Sequence, residues 1–295
     1  MITNQLNVFI NILILLAISV GAPTIAVGIL ALFKIKITKN SRIFLYSFAA
    51  GIILILGTIG FIAEAIHHSK EHFSDPSKAI NILQVVGIVG GGMALGLGGV
   101  LGIRYLITRN KHEIHEHHEM HDHNDHIFNS SDVDNKKIKW LPILLLITHR
   151  CVDGITLGFM ANTHSGAIGT FDNWGMIIVF AIHLIPTTII IYLIQLDIQD
   201  GKRWKAFLVT VGMLLLMVPF TLIGGFLITN IQKIWWLMPL LFSISGAILT
   251  IMSIMELLPE FIHFRNSKTK TWIGSIGLFV TGILLAVILI CIHTH

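Results

Sequence analysis

Residues 43–66 read IFLYSFAAGIILILGTIGFIAEAI, an apolar run with one charged side chain, Glu64, close to its end. A helix of roughly 20 mostly apolar residues is long enough to cross a hydrocarbon layer of about 30 Å. The remainder of the chain has the same character, because 54% of its 295 residues are hydrophobic and only 12% are charged. A soluble domain of this length needs far more charge on its surface. The sequence therefore predicts an all-α polytopic membrane protein.

Seven other stretches are also long and apolar enough, which gives eight predicted transmembrane helices, here numbered spans 1 to 8. They cover residues 8–33, 43–66, 80–103, 140–161, 174–197, 204–228, 235–258 and 272–293. Residues 1–295 are accordingly expected to form a single transmembrane domain. Span 1 is not predicted to be a cleaved signal peptide, because no Lys or Arg precedes it and no small-residue cleavage site ends it.

Cationic side chains outside the spans fall almost entirely on one side of the predicted membrane. Sixteen Lys and Arg residues belong to the connections that follow spans 1, 3, 5 and 7, whereas the opposite side has only Lys70, Lys78 and Lys233. Cationic loops stay in the cytoplasm, so both termini are predicted to be extracellular. Because this asymmetry accounts for the net charge of +4, no nucleic-acid partner is expected.

Residues 104–139 join spans 3 and 4 as the longest segment outside the spans, and the charge pattern predicts that they are cytoplasmic. Positions 111–126 read KHEIHEHHEMHDHNDH, seven histidines among five acids. Imidazole and carboxylate groups suit borderline divalent ions such as Zn²⁺, Ni²⁺ and Cu²⁺. We interpret this loop as a solvated, weak metal buffer, and a merely polar linker is the alternative. Its histidines are His112, His115, His117, His118, His121, His123 and His126.

Spans 4 and 5 contain ionisable side chains, which cost at least about 2.5–3.5 kcal/mol each inside a bilayer and therefore need partners or a function. His149 and Asp153 are four residues apart, so they share one face of span 4. In span 5, Pro186 removes a backbone donor close to His183. We interpret His149, Asp153 and His183 as ligands of one metal ion near the middle of the membrane. The alternatives are neutralisation of Asp153 by Arg150 and a hydrogen bond from His183 to a neighbouring helix.

This arrangement resembles the ZIP (zinc/iron-regulated transporter-like) family. Members of that family have eight spans with both termini outside, a His-rich loop between spans 3 and 4, H-N-x-x-D-G in span 4 and H-E-x-P-H-E in span 5. Here span 4 reads HRCVDG at 149–154, span 5 reads HLIPTT at 183–188, and span 7 ends in ELLPE at 256–260. The resemblance implies that His149, Asp153 and His183 are metal ligands.

The chain also departs from the family pattern within these motifs. Arg150 replaces an Asn ligand, Leu184 replaces a Glu, and Thr187 stands where the family has a further ligand. A two-metal centre needs several carboxylates to offset a charge of about +4. Our hypothesis is that Arg150 takes the place of a second cation, so at most one metal binds, with Arg150 and Thr187 as modulators of the site.

Two further patterns concern the route of an ion and the architecture. Polar side chains at the outer end of span 2 and the inner end of span 7 are interpreted as an outer funnel and an inner exit, and solvated interfacial residues are the simpler alternative. They are Glu64, His67, His68 and His72, and Glu256 and Glu260, respectively. Spans 2 and 7 are weakly alike in opposite orientations, which is typical of an inverted repeat, here of 3+2+3 helices.

The predicted function is that of a carrier, not an enzyme, which moves a divalent metal into the cytoplasm between spans 4 and 5. Zinc is the first choice, and iron, manganese, nickel and cadmium suit the same ligands. One alternative is a relative that senses metal without transporting it. Another is an intramembrane metal hydrolase, disfavoured because no Glu is placed as a general base and H-E-x-x-H is absent. The expected partners are the lipid bilayer and metal ions, a homodimer is compatible with the sequence, and the predicted location is the cell membrane.

Overall fold

The structure, a computed structural model, confirms the all-α class in the part of the chain that it describes. The described residues are 2–33, 38–73, 78–108, 136–163, 174–231, 234–258 and 269–293. Their α-helices are α1 (Ile2–Leu32), α2 (Lys39–Ile55), α3 (Ile62–Glu71), α4 (Ala79–Thr108), α5 (Lys136–Thr163), α6 (Trp174–Ile198), α7 (Arg203–Leu215), α8 (Met217–Ile231), α9 (Leu237–Met252) and α10 (Thr269–His293). Two π-helical segments are π1 (Leu56–Phe61) and π2 (Ser253–Leu257).

Among the residues that the structure describes, six helical stretches are long and apolar enough to cross a membrane. They are Gln5–Leu32, Asn40–Lys70, Ala79–Leu106, Arg203–Phe226, Leu237–Met255 and Thr269–Cys291, which correspond to predicted spans 1, 2, 3, 6, 7 and 8. Predicted spans 4 and 5 are helical as α5 and α6, and their passage through a membrane stays a prediction, as do eight spans and the outer placement of both termini. The loop predicted at 104–139 is shorter than expected, because α4 continues to Thr108 and α5 begins at Lys136.

Local sequence explains one of the interruptions in these helices. Span 6 is divided into α7 and α8 at Leu216, because Pro219 has no backbone N–H to donate to the carbonyl four residues earlier. Span 2 passes from α2 through π1 into α3 without a break, and span 7 passes from α9 into π2. π-Helical turns are rare and frequently occur at functional sites.

Close contacts between helices depend on glycine. A Cβ at Gly158 of α5 would collide with the backbone of α8 at Thr221 and Gly225, and a Cβ at Gly224 of α8 would collide with the carbonyl of Ile155. Small residues allow such backbone contact between membrane helices. In the glycine-rich α4, Gly92 and Gly96 pack in this way against α9.

An ion pair joins the two elements that carry the predicted inner ends of spans 2 and 5. Arg42 of α2 donates from Nη1 and Nη2 to both carboxylate oxygens of Asp197 in α6, at 2.6 and 2.9 Å. Both side chains are partly exposed, so the pair adds little stability. Its bidentate geometry nevertheless fixes the orientation of the two helix ends.

We expect Gly158→Ala to destabilise the protein by about 1–3 kcal/mol, because the added methyl group collides with the backbone of α8 and the helices must move apart. Gly98→Ala is the matched control: it lies on a helix too, and nothing lies within 4 Å of its added Cβ. Thermal unfolding in detergent, followed by circular dichroism, measures both variants. Equal unfolding temperatures for the two variants would show that the α5–α8 contact does not depend on Gly158.

Candidate metal centre

His149, Asp153 and His183 come together between α5 and α6. One ligand atom from each lies within 4.8 Å of the other two, and all three side chains are buried. Oδ2 of Asp153 is 3.1 Å from Nε2 of His149 and 3.4 Å from Nε2 of His183. Nitrogen and oxygen ligands about 2.0–2.2 Å from a tetrahedral metal lie about 3.4 Å from one another. The spacing of these donors therefore fits a single first-row divalent ion.

Two polar atoms of the cluster lack hydrogen-bond partners. Nε2 of His149 has no hydrogen bond despite its proximity to Asp153, and neither has Oδ1 of Asp153. Buried polar groups are nearly always paired, so each exception needs an explanation. Nε2 of His183 and Oδ2 of Asp153 do form a hydrogen bond. A divalent cation would satisfy the remaining atoms, since imidazole nitrogens and carboxylate oxygens both donate lone pairs to such ions.

The ring of His149 is held from its other side by Ser245 of α9. Nδ1 of His149 and Oγ of Ser245 are 2.6 Å apart, and both side chains are buried. A histidine that ligates a metal through Nε2 keeps its proton on Nδ1 and donates it to such a second partner. We assign this tautomer on that basis. Ser245 was missed by sequence reasoning, because a single Ser in an apolar helix gives no signal of which helix it faces.

Arg150 is buried to 1% exposure and turns toward α6. Its Nη2 donates to the hydroxyl oxygens of Thr187 and Thr188 at 2.6 and 2.8 Å, and to the carbonyl of Leu184 at 3.2 Å. Nε and Nη1 have no hydrogen-bond partner. Among the described residues, no carboxylate forms an ion pair with Arg150. Arg150 and Asp153 therefore do not stabilise each other by direct contact.

A row of rings connects this cluster with the end of span 2 that is predicted to be outer. Phe61, the last residue of π1, contacts His149 and His183 edge-on, with ring centroids 5.7 and 6.2 Å apart. Phe61 also lies 6.1 Å from Phe242 of α9, which in turn stacks on His68 at 5.5 Å. Sequence reasoning missed both phenylalanines, because aromatic side chains are common in any apolar span.

The polar residues of span 2 that are predicted to form an outer funnel lie in different environments. Nε2 of His68 is 3.3 Å from Oε1 of Glu64, one turn away on α3. His72 stacks on Trp235 at a ring distance of 4.3 Å, and His67 is exposed. Glu64 and His68 are therefore placed to act on one ion together, and the ring of His67 lies edge-on to that of His68 at 6.0 Å.

Some predicted site residues lie outside the described part of the chain. For Glu256 the helix is described but the side chain is not, and neither Glu260 nor the loop histidines His112, His115, His117, His118, His121, His123 and His126 are described. The inner exit and the metal-buffering loop thus stay predictions.

A comparison with models of known families and with curated proteins found no match for this chain. The likeness to ZIP transporters therefore remains a prediction from the motifs in spans 4, 5 and 7.

We expect Ser245→Ala to weaken metal binding at the His149 cluster by about 10–100-fold, because the imidazole loses the group that orients it. Ser243→Ala is the control, since Ser243 is equally buried but donates to the carbonyl of Pro239 in its own helix. Titration with Co²⁺, followed by its visible absorption, measures both affinities. If the two serine variants bind alike, Ser245 does not support a metal ligand.

Proposed function

We propose that this protein moves a divalent metal ion, zinc in the first place, across the cell membrane into the cytoplasm through the site formed by His149, Asp153 and His183. The observation that supports the proposal best is the approach of their ligand atoms to within 4.8 Å inside an apolar helical protein. Ionisable groups are rare in such surroundings and usually mark the path of an ion.

The ligands indicate which ions the site would carry. Two imidazoles and one carboxylate suit zinc and, less closely, iron, manganese, nickel or cadmium. Three protein ligands leave one tetrahedral position open for water. A transported ion must be able to leave as well as bind, so an incomplete ligand set favours transport over permanent retention.

Charge favours one metal ion rather than two. Asp153 is the only carboxylate in the cluster of possible ligands found in the described residues. The guanidinium of Arg150 lies against Thr187, the position at which the ZIP pattern has a further ligand. This contact supports the hypothesis that Arg150 replaces a second cation.

The row of rings suggests how an ion would reach the site. Glu64 and His68 would bind it transiently at the outer end of span 2, and Phe61 with Phe242 would separate that pair from the inner cluster. Phe61 is 9% exposed and Phe242 is 2% exposed, so this route would require a rearrangement of π1 before an ion could pass. The inner exit would use Glu256 and Glu260.

The pairing of helices supports the inverted 3+2+3 repeat. In such a repeat, the contact between spans 3 and 7 corresponds to that between spans 8 and 2, and both are present, through α4 with α9 and α10 with α2. The contact between spans 4 and 6 likewise corresponds to that between spans 5 and 1, and both are present, through α5 with α8 and α6 with α1. Segments π1 and π2 lie at nearly equivalent places in spans 2 and 7. Related halves of opposite orientation suit alternating access to a central site.

Arg150 also supports a second candidate, a protein that senses metal without transporting it. In the absence of metal, the fixed charges of Arg150 and Asp153 cancel, and both are fully enclosed. Because its charges are balanced, such a site is stable without metal and could bind an ion without transporting it. Transport and binding must therefore be measured separately.

For the transport proposal, we expect His149→Ala and His183→Ala each to abolish metal binding and zinc uptake into proteoliposomes, because two ligands cannot hold the ion. The variants are best made in a chain lacking residues 111–126, whose histidines would otherwise bind metal themselves. This deletion alone should leave uptake intact, and one equivalent of metal should bind.

His67→Ala is the control for metal binding at the cluster, because this exposed histidine does not belong to it. Binding of one equivalent without uptake would favour the sensor, and loss of uptake on deletion of 111–126 would show that the loop takes part in transport. Two equivalents bound to the deleted chain would contradict the one-metal site.

We expect Arg150→Gln to bind metal at least tenfold more tightly, because removal of a buried positive charge lessens the repulsion of a divalent cation. Arg150→Lys keeps the charge and should bind like the unmodified protein. Competition with a chelator of known affinity measures all three. Weaker binding by Arg150→Gln would mean that Arg150 positions α6 through Thr187 and Thr188 rather than opposing the metal.

A further inference from the structure

An apolar cluster lies between the candidate metal centre and the end of the helices that is predicted to be cytoplasmic. It joins buried side chains of four helices, and three partly buried side chains, Ile147, Ile194 and Val209, pack against it. The cluster therefore connects α5 and α6, which carry the three possible ligands, with α7 and α9. Its buried members are Ile143, Leu146, Ile191, Ile198, Met213 and Met252.

The helices that carry the possible ligands place this cluster on the same side of the metal centre. In α5, Leu146 precedes His149 by three residues, or about 5 Å along the helix axis. In α6, which runs in the opposite direction, Ile191 follows His183 by eight residues, or about 12 Å. Met252 lies in the last turn of α9, just before π2. An ion that moves from the metal centre toward the cytoplasm would therefore meet this cluster first.

The metal centre is enclosed on both sides. His149, Asp153 and His183 are at most 2% exposed. Phe61 and Phe242 cover them on the side that is predicted to be outer, and the apolar cluster covers them on the other. Narrow apolar constrictions exclude water and stop ions until they widen. Release of an ion into the cytoplasm therefore requires that the cluster opens.

One polar side chain lies on the same face of α6 as the cluster. Ile191, Gln195 and Ile198 are four and three residues apart, so they share one face of the helix. Gln195 is completely buried, and among the described residues neither its Nε2 nor its Oε1 has a hydrogen-bond partner. A primary amide offers two N–H donors and a carbonyl acceptor. Such a group is destabilising when it is buried without partners.

The enclosed arrangement thus contains a group that is more stable when water can reach it. Movement of α6 away from α5 and α9 would hydrate the amide of Gln195 and supply the hydrogen bonds that it lacks. The same movement would expose the apolar members of the cluster, which is unfavourable. Because the two contributions have opposite signs, the enclosed and the open forms differ less in free energy, and both can be populated.

We propose that this apolar cluster is the inner gate of the metal centre and that the buried amide of Gln195 makes the gate easier to open. The inference rests on the proposed transport, because a gate is needed only if the ion continues to the cytoplasm. Gln195 is not one of the possible metal ligands, so its effect on opening is separable from metal binding.

Thiol labelling tests the gate without depending on uptake. Leu146→Cys places a thiol in the cluster, in a chain whose own cysteines are removed by Cys151→Ser and Cys291→Ser. A charged thiol reagent should react with it in inside-out vesicles, which expose the predicted cytoplasmic side, and at least tenfold more slowly in sealed cells. Gln195→Leu in this parent chain should slow the reaction in vesicles at least tenfold, because no buried amide then favours the open form.

Gln84→Leu is the matched control, because Gln84 is exposed on α4, and it should react like the parent chain. Gln195→Glu keeps a polar group and should react at least as fast as the parent. Circular dichroism checks that each variant is folded, and Co²⁺ titration should give the same metal affinity for all of them.

Three results would overturn the gate. They are equal rates for Gln195→Leu and Gln84→Leu, a rate for Gln195→Glu as slow as that for Gln195→Leu, and no reaction at position 146 in any variant. Labelling as expected without zinc uptake would instead support the gate and contradict transport, so the failures of the two proposals are distinguishable.

Discussion

The contact of Asp153 with two imidazoles is the constraint on which the rest of the structure depends. A carboxylate surrounded by apolar helices is tolerated only if protein encloses it and supplies polar partners. Helix α5 is accordingly packed by α8 through glycine, by α6 through the charged cluster and by α9 through Ser245. By contrast, α4 and α10, which carry no ionisable group in their apolar middle, leave wide faces uncovered.

Local geometry accounts for what the sequence could predict about the cluster. The four-residue spacing of His149 and Asp153 fixes their common face in any α-helix, and the position of His183 along span 5 sets its depth. What the spacing could not decide is the direction of Arg150. A three-residue separation from Asp153 permits an ion pair, but the long side chain reaches the hydroxyl groups of α6 instead. That outcome depends on a neighbouring helix, which no local pattern specifies.

The helices could be predicted from the sequence in the same way, whereas their interruptions could not. Hydropathy predicts the spans, because lipid contact acts on the average character of about 20 residues. The π-helical turns at Leu56–Phe61 and Ser253–Leu257 leave no such average signal, and Ser253, the first residue of the second turn, donates to the carbonyl of Ala50 in α2. Ser243, Ser245 and Ser253 look alike in sequence, yet their hydroxyl groups have different partners. Ser243 donates to a carbonyl of its own helix, Ser245 bonds to His149, and Ser253 donates to a carbonyl of α2. Sequence alone could not distinguish them.

The charge balance of the cluster bears on how a carrier of this kind would complete its cycle. In a centre with several carboxylates, departure of the metal leaves negative charges that must take up protons or another cation before the protein closes. Here one carboxylate and one guanidinium lie in the same enclosed region, so the metal-free site has no net fixed charge. For the proposed transporter, the empty form could therefore change conformation without a second ion. The metal-bound form is instead the one with unfavourable electrostatic energy, because the metal adds two uncompensated charges. This favours rapid release over tight binding.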